Sequence, residues 1–437
     1  MKRKLLENLK EWKDKQGRKP LIIQGARQVG KTYLLKQFGE TYYENTVYIN
    51  FDRSEPDIER LFSGSIEPSR IVDFLAIKYS TVIKPGKTLI ILDEIQELPR
   101  ALASLKYFYE DAPEYHVVAA GSLLGVALHR GTSFPVGKVE FLHLDPLSFE
   151  EFCWAQGLEE KMQYVRNNLS EGELFGQDFS DAFDKYIAIG GMPEAVTEWL
   201  QSKDIKKVER VLRAILDGYR NDFSKYADTT QAERINQVWQ SIPSQFAKES
   251  KKFVYGAVKS GARAREYGLA ITWLEDAGLV HKIHSIARGD KLPLSAHSDI
   301  SAFKLYLLDI GLLRVMAHLS PADILSHLFS QFGGLFAEQY VLQQISRYDP
   351  YYWTSGAQSE VDFVVQYNSK IIPIEVKSGN NVKAKSLRVY RDRYSPSFAV
   401  RFSMKPLKMD DGLLNVPLYY SWLLEELLAN EEIAEFA

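Results

Sequence analysis

"PLIIQGARQVGKTYLLKQF", residues 20–38, decides the fold. An apolar run is followed by "GARQVGKT" at 25–32 and then by the helical pattern "TYLLKQF". The eight residues fit G-x-x-x-x-G-K-[ST] in the strand–loop–helix context that this pattern requires. A chance lysine on a glycine turn would not carry a strand before it and a helix after it. Gly25 and Gly30 let the backbone curl, so that the segment Gly25, Ala26, Arg27, Gln28, Val29, Gly30, Lys31 and Thr32 can cradle an anion. Lys31 reaches toward β- and γ-phosphates, Thr32 offers a hydroxyl to Mg2+, and the helix N-terminus adds its dipole. ATP and Mg2+ are the expected ligands.

Working outward, "TLIILDEIQ" at 88–96 is an apolar strand ending in two acids. At the C-terminal end of a parallel strand, Asp93 is placed to bind Mg2+ and Glu94 to polarise an attacking water. One strand further on, "HVVAAGS" ends in Ser122, a candidate contact for the γ-phosphate or that water. The strands "TVYINF" and "VEFLHLD" complete an alternation of apolar runs and helical patterns, which predicts a parallel α/β sheet with an inserted strand. Residues 1–20 read as an amphipathic helix with Leu5, Leu9 and Trp12 on one face.

The totals restrict the rest. A chain of 437 residues is too long for one core, so two to four domains are expected. Net charge is only −3, so a nucleic-acid site must be a local patch. Cys153 is the single cysteine, which rules out an internal disulfide and fits a reducing compartment. The apolar runs are strand-length and the N-terminus lacks an apolar core, so neither a membrane span nor a secretory signal is read. The expectation is a cytoplasmic protein with no membrane partner.

Beyond residue 160 the chain turns helical and polar, punctuated by "IAIGGMPEAV", where Gly190 and Gly191 read as a tight structural turn. "ARAREYGLAITWLEDAGLVHKI" puts Leu269, Trp273, Leu274 and Leu279 at helical spacing and then exits through Gly278 into a strand. Helix-then-strand punctuation of this kind is similar to a winged helix. Residues 248–265 carry Lys248, Lys251, Lys252, Lys259, Arg263 and Arg265 against Glu249. Such a stripe either neutralises phosphates of double-stranded DNA or is a solvated face, and a winged helix can also dock a protein partner. His281 and His284 lack the neighbours a zinc site needs.

"EVDFVVQYNSKIIPIEVKSG", residues 360–379, is two alternating strands joined by a turn. Glu375 and Lys377 are two apart and share a face, Asp362 can sit beside Glu375 across the pair, and Glu338 lies on the helix before them. Carboxylates that hold a divalent metal, with a lysine that places water, are what a metal-dependent phosphodiesterase needs. The expected assignment is Asp362, Glu375 and Glu338 to metal and Lys377 to the water. The same pattern also fits a nuclease fold that only binds.

The first motifs resemble the AAA-type branch of P-loop ATPases. More narrowly, "GARQVGKT", "LDEIQ", "GSLLG", "LDPLSFEEF", "GGMPE" and "EVDFVV…IEVKSG" resemble a bacterial and archaeal family of predicted ATPases with a C-terminal domain of unknown function, over residues 18 to 380. That family places an arginine just before the strand leading to "PLSF"; here Lys138 stands there, with Arg130 upstream. Lysine lacks the planar fork that arginine brings to phosphate, so a trans-acting finger is not expected. The α-β-β-β-α-β order of the last third resembles the restriction-endonuclease-like fold. The resemblance implies an α/β protein of four parts. These are an AAA-like P-loop core at 1–158, a helical lid at 159–230, a winged-helix-like segment at 231–295 and a restriction-endonuclease-like domain at 296–437. The function it implies is Mg2+-dependent ATP hydrolysis by a protein acting on or near DNA. The alternative is a regulatory ATPase whose C-terminal half binds a protein and cuts nothing.

Overall fold

The computed structural model describes residues 1–122, 135–246, 252–322, 329–356, 359–378 and 385–429. Part of "GSLLG", together with Arg130, Lys248, Glu249 and Lys251, lies outside the described residues. The chain forms two compact units, one of residues 1–146 with 272–279 and the other of 147–271 with 280–437.

The first unit is built on five parallel strands: β1 (Leu21–Gln24), β2 (Asn45–Asn50), β3 (Thr88–Asp93), β4 (His116–Gly121) and β5 (Glu140–His143). Their order is β2-β3-β4-β1-β5. Every residue of β3 and β4 is buried. Strands covered on both faces must be apolar throughout, which is why these two read as continuous runs without alternation. Edge strand β5 instead alternates between half-buried and exposed positions. Helices Pro56–Ser63, Pro68–Lys78 and Pro99–Asp111 each begin at a proline, whose missing N–H costs nothing in a first turn. Phe62, Leu75, Leu105 and Phe108 from these helices join Ile90, Leu92, Val117 and Ala119 in one core. The N-terminal helix Leu5–Asp14 buries Leu9 and Trp12.

This arrangement brings the C-terminal ends of β1, β3 and β4 to the same edge, because Gln24 pairs with Gly121 and Leu92 with Ala119. The phosphate loop, the two acids and Ser122 therefore meet although they are far apart in sequence.

The second unit carries a mixed eight-stranded sheet in the order β12-β13-β11-β10-β9-β8-β6-β7. Its strands are β6 (Val280–Ile286), β7 (Ser298–Leu307), β8 (Tyr351–Thr354), β9 (Glu360–Tyr367), β10 (Lys370–Val376), β11 (Ala399–Ser403), β12 (Lys408–Asp410) and β13 (Leu413–Pro417). With helices Phe329–Ile345 and Lys385–Tyr394, the expected α-β-β-β-α-β order is present. The strand at 280–286, read from sequence as part of the middle segment, pairs with β7 and β8 in this same sheet.

Two further features of this unit follow from side-chain chemistry. Phe149, Phe183 and Tyr186 pack edge-to-face on Tyr340, so helices distant in sequence share one aromatic knot. Gly190 has φ +80° and a Cβ there would lie 2.3 Å from Asp309 Oδ1, while the Gly191 amide donates to Asp309 Oδ2 at 2.6 Å. The "GGMPE" glycines let a buried carboxylate approach the backbone. Leu269 does not join the core: it is 72% exposed, whereas Ala270, Leu274 and Ala277 are buried. The buried stripe of helix Ala264–Asp276 runs through 267, 270, 271 and 274, and Leu269 lies off it. Among the described residues, no helix is long and apolar enough to cross a membrane.

Candidate functional site

In the first unit the phosphate loop takes three left-handed turns, at Gly25 (φ +146°), Gln28 (φ +65°) and Gly30 (φ +96°). Position 25 admits nothing larger than glycine, because a Cβ would stand 2.2 Å from the Leu144 carbonyl oxygen. Gly30 caps helix Lys31–Tyr42 and turns its first amides toward the loop. Lys31 is buried, and its ammonium donates to the carbonyls of Gly25 (2.8 Å) and Ala26 (2.7 Å). Burial pushes its pKa down to about 8, while Glu94 and Asp93 oppose that shift.

Asp93 is 1% exposed and organises the facing strand ends. Its Oδ2 accepts from the Thr32 hydroxyl at 2.7 Å and from the Tyr48 hydroxyl at 2.8 Å. Asn50 in turn donates to Tyr48 at 3.2 Å, and the Lys36 ammonium lies 3.9 Å from the centre of the Tyr48 ring. Glu94 adopts a left-handed conformation (φ +51°) that a non-glycine residue holds only when its surroundings fix it. Its Oε2 accepts from Ser122 at 2.9 Å and from Gln96 at 2.6 Å. Lys31, Thr32, Asp93, Glu94 and Ser122, expected from separate motifs, thus form one site. The Thr32 and Asp93 oxygens are hard donors of the kind Mg2+ takes, so the residues fit that ion.

Three further residues join this site through contacts that no local motif records. Tyr48 sits in an ordinary alternating strand, and its role depends on the register that pairs Asn50 with Asp93. Arg3 is buried and its guanidinium donates to the carbonyls of Val29 (2.8 Å) and Asp145 (2.5 Å), tying the start of the chain to the loop. A Cβ on Gly278 would lie 3.3 Å from the Ala26 amide nitrogen, so the segment 272–279 packs directly on the phosphate loop. Lys138, at the position of the family's arginine, pairs with Glu110 at 2.9 Å.

In the second unit the strand pairing Ile374↔Phe363 brings Glu375 opposite Asp362, as its spacing predicted. Lys377 pairs with Glu375 at 2.5 Å, and Asp362 Oδ2 accepts from the Val376 amide at 2.8 Å. Glu338 accepts from the Tyr306 hydroxyl at 3.3 Å. Burial raises the Glu375 pKa above the ordinary range, Lys377 opposing it, and its Oε2 is buried with no hydrogen-bond partner. Lys304, missed by sequence because it sits inside the apolar strand "AFKLYLL", is 1% exposed. Its ammonium lies 2.5 Å from Glu360 and 4.0 Å from Glu338.

Glu338, Asp362 and Glu375, expected to share a metal ion, come to one region of the second unit. Among the described residues, no three His, Cys, Asp or Glu side chains are arranged to hold a metal. Lysine ammoniums stand beside these acids, Lys304 near Glu338 and Lys377 on Glu375.

One family match agrees with the fold of the first unit. Residues 17–153 match the family described as an AAA domain. Residues 180–323 and 333–420 match two families each described as a domain of unknown function. No curated protein matches the chain. Among solved structures it is similar to the Walker-type ATPase of Pyrococcus abyssi, at 14% identity over 71% of this chain and 94% of that one, with a TM-score of 0.45. It is also similar to the Aeropyrum pernix ORC1 protein in complex with DNA (15% identity, 74% and 92% covered, TM-score 0.26). The Cdc6p protein of Pyrobaculum aerophilum matches at 12% identity, with 77% and 93% covered and a TM-score of 0.26. With its phosphate loop, strand-end acids and parallel sheet assembled, the N-terminal third of this chain is an AAA-type P-loop domain, and two domains of unknown function follow it.

Proposed function

We propose that this protein binds ATP with Mg2+ and hydrolyses it. The observation that carries the reading is the position of Glu94, held by Ser122 and Gln96 next to the Thr32–Asp93 pair. Thr32 and Asp93 would hold Mg2+, which supplies positive charge to the phosphate oxygens. Lys31 gives up two carbonyls for the β- and γ-phosphates, which suit its charge better. Glu94 then takes the proton of the attacking water, and Ser122 fixes the carboxylate that does so. In equilibrium binding with a fluorescent ATP analogue, Lys31→Ala should weaken affinity at least about a hundredfold, since it removes the only lysine of the loop. Unchanged affinity in that variant would place the nucleotide elsewhere.

A second reading concerns the partner. Lys252, Lys259, Arg263 and Arg265 are all exposed and lie within fourteen residues, consistent with a phosphate-contacting stripe for duplex DNA. ATP hydrolysis would then act on or near DNA. Leu269, exposed beside the same stripe, is what a protein-docking surface would use instead.

A further inference from the structure

The cluster of charged groups in the C-terminal sheet contains a feature that its nuclease-like order does not require. Lys304 projects from β7 into a position where its ammonium is 2.5 Å from Glu360 and 4.0 Å from Glu338, over the ring of Tyr352 at 4.9 Å. We propose that Lys304 is an internal cation standing where a divalent metal would be held, so that this domain folds and balances its charge without metal. The inference is independent of the ATP reading.

Several observations support it. A lysine so buried is retained only when counter-charges surround it. Here Glu338, Glu360 and Asp362 do so; desolvation works to lower its pKa, but Tyr306 and then these three acids hold it well above the ordinary lysine range. The other acids are engaged as well: Asp362 takes the Val376 amide and Glu375 takes Lys377. A divalent ion entering among them would meet one ammonium beside Glu338 and another on Glu375, and like charges at such distances in a buried site repel strongly. The acids are therefore arranged around lysines, and among the described residues no three His, Cys, Asp or Glu side chains are grouped to hold a metal ion.

The test is Mn2+ binding and thermal unfolding of the nucleotide-free full chain, against chelator, in wild type, Asp362→Asn and Lys304→Ala. The expected result is that wild type and Asp362→Asn bind Mn2+ identically and melt at temperatures that chelator changes equally. Lys304→Ala should melt several degrees lower in chelator and recover most of that loss in millimolar Mn2+. Adding Asp362→Asn to it should abolish the recovery. Wild type that binds an Mn2+ ion which Asp362→Asn loses would overturn the proposal. So would a folded Lys304→Ala chain that ignores Mn2+. If Lys304→Ala does not fold, Lys304→Met keeps the side-chain volume, and the wild-type comparison with Asp362→Asn decides in any case. Because no nucleotide is present, failure here is distinguishable from failure of the ATP site.

Discussion

At the scale of single residues, the candidate nucleotide site depends on the partners that hold each charged atom. Asp93 Oδ2 serves both Thr32 and Tyr48, so the tyrosine restrains the carboxylate that Mg2+ would use. A hydrogen bond to a charged acceptor contributes about 1.5–3 kcal/mol. Tyr48→Phe should therefore raise the Mg2+ concentration for half-maximal ATP hydrolysis about tenfold while leaving the fold intact. A Mg2+ titration of the variant checks this, and an unaltered midpoint would reduce Tyr48 to packing. The residues legible in sequence were those whose chemistry is written into a local motif: Gly25, Lys31, Thr32, Asp93 and Glu94. Tyr48, Arg3 and Lys304 were not, because each acts through a contact between strands or segments that no local pattern records.

At the scale of elements, the strands were legible from their apolar runs, since burial on both faces leaves no choice of residue. Their order was not, and neither was the packing of 272–279 on the phosphate loop. Leu269 shows the limit of periodicity: helical spacing names candidate faces, but tertiary packing selects the one that is buried. The start of β4 supplies a pH-dependent test. His116 is buried, its Nδ1 is 2.7 Å from the Tyr43 hydroxyl, and Trp12 and Tyr43 pack on its ring edge-on. Desolvation, with Arg18 and Lys13 nearby, pulls its pKa down to about 4. The folded-state pKa is thus below the ordinary value of about 6.5, so the folded unit binds fewer protons than the unfolded chain between those values. Stability from neutral His116 is present above that window and is lost as pH falls through it, by roughly 3 kcal/mol at most. In denaturant unfolding at pH 7 and pH 4.5, His116→Phe should lose less stability on acidification than wild type. Equal losses would show that His116 does not report on acid unfolding.

At the scale of the whole molecule, the two units put different questions to the chain. The N-terminal unit brings residues from separate motifs, Lys31, Thr32, Asp93, Glu94 and Ser122, to one sheet edge. The C-terminal unit shows the expected α-β-β-β-α-β order, with Lys304 and Lys377 beside its buried acids. The exposed cations at 252–265 belong to neither cluster, and a salt titration separates their two readings. If they contact duplex phosphates, Arg263→Ala with Arg265→Ala should weaken binding about equally across sequences. The slope of log affinity against log salt should then fall by roughly one to two. Unchanged duplex affinity would assign the surface to a protein partner. ATP hydrolysis itself is tested most directly at Glu94, the carboxylate held by Ser122 and Gln96. In single-turnover assays with radiolabelled ATP and Mg2+, Glu94→Gln should bind nucleotide like wild type and hydrolyse it about a hundredfold or more slowly, because an amide cannot take the water's proton. A Glu94→Gln protein that turns over ATP at the wild-type rate would contradict the account.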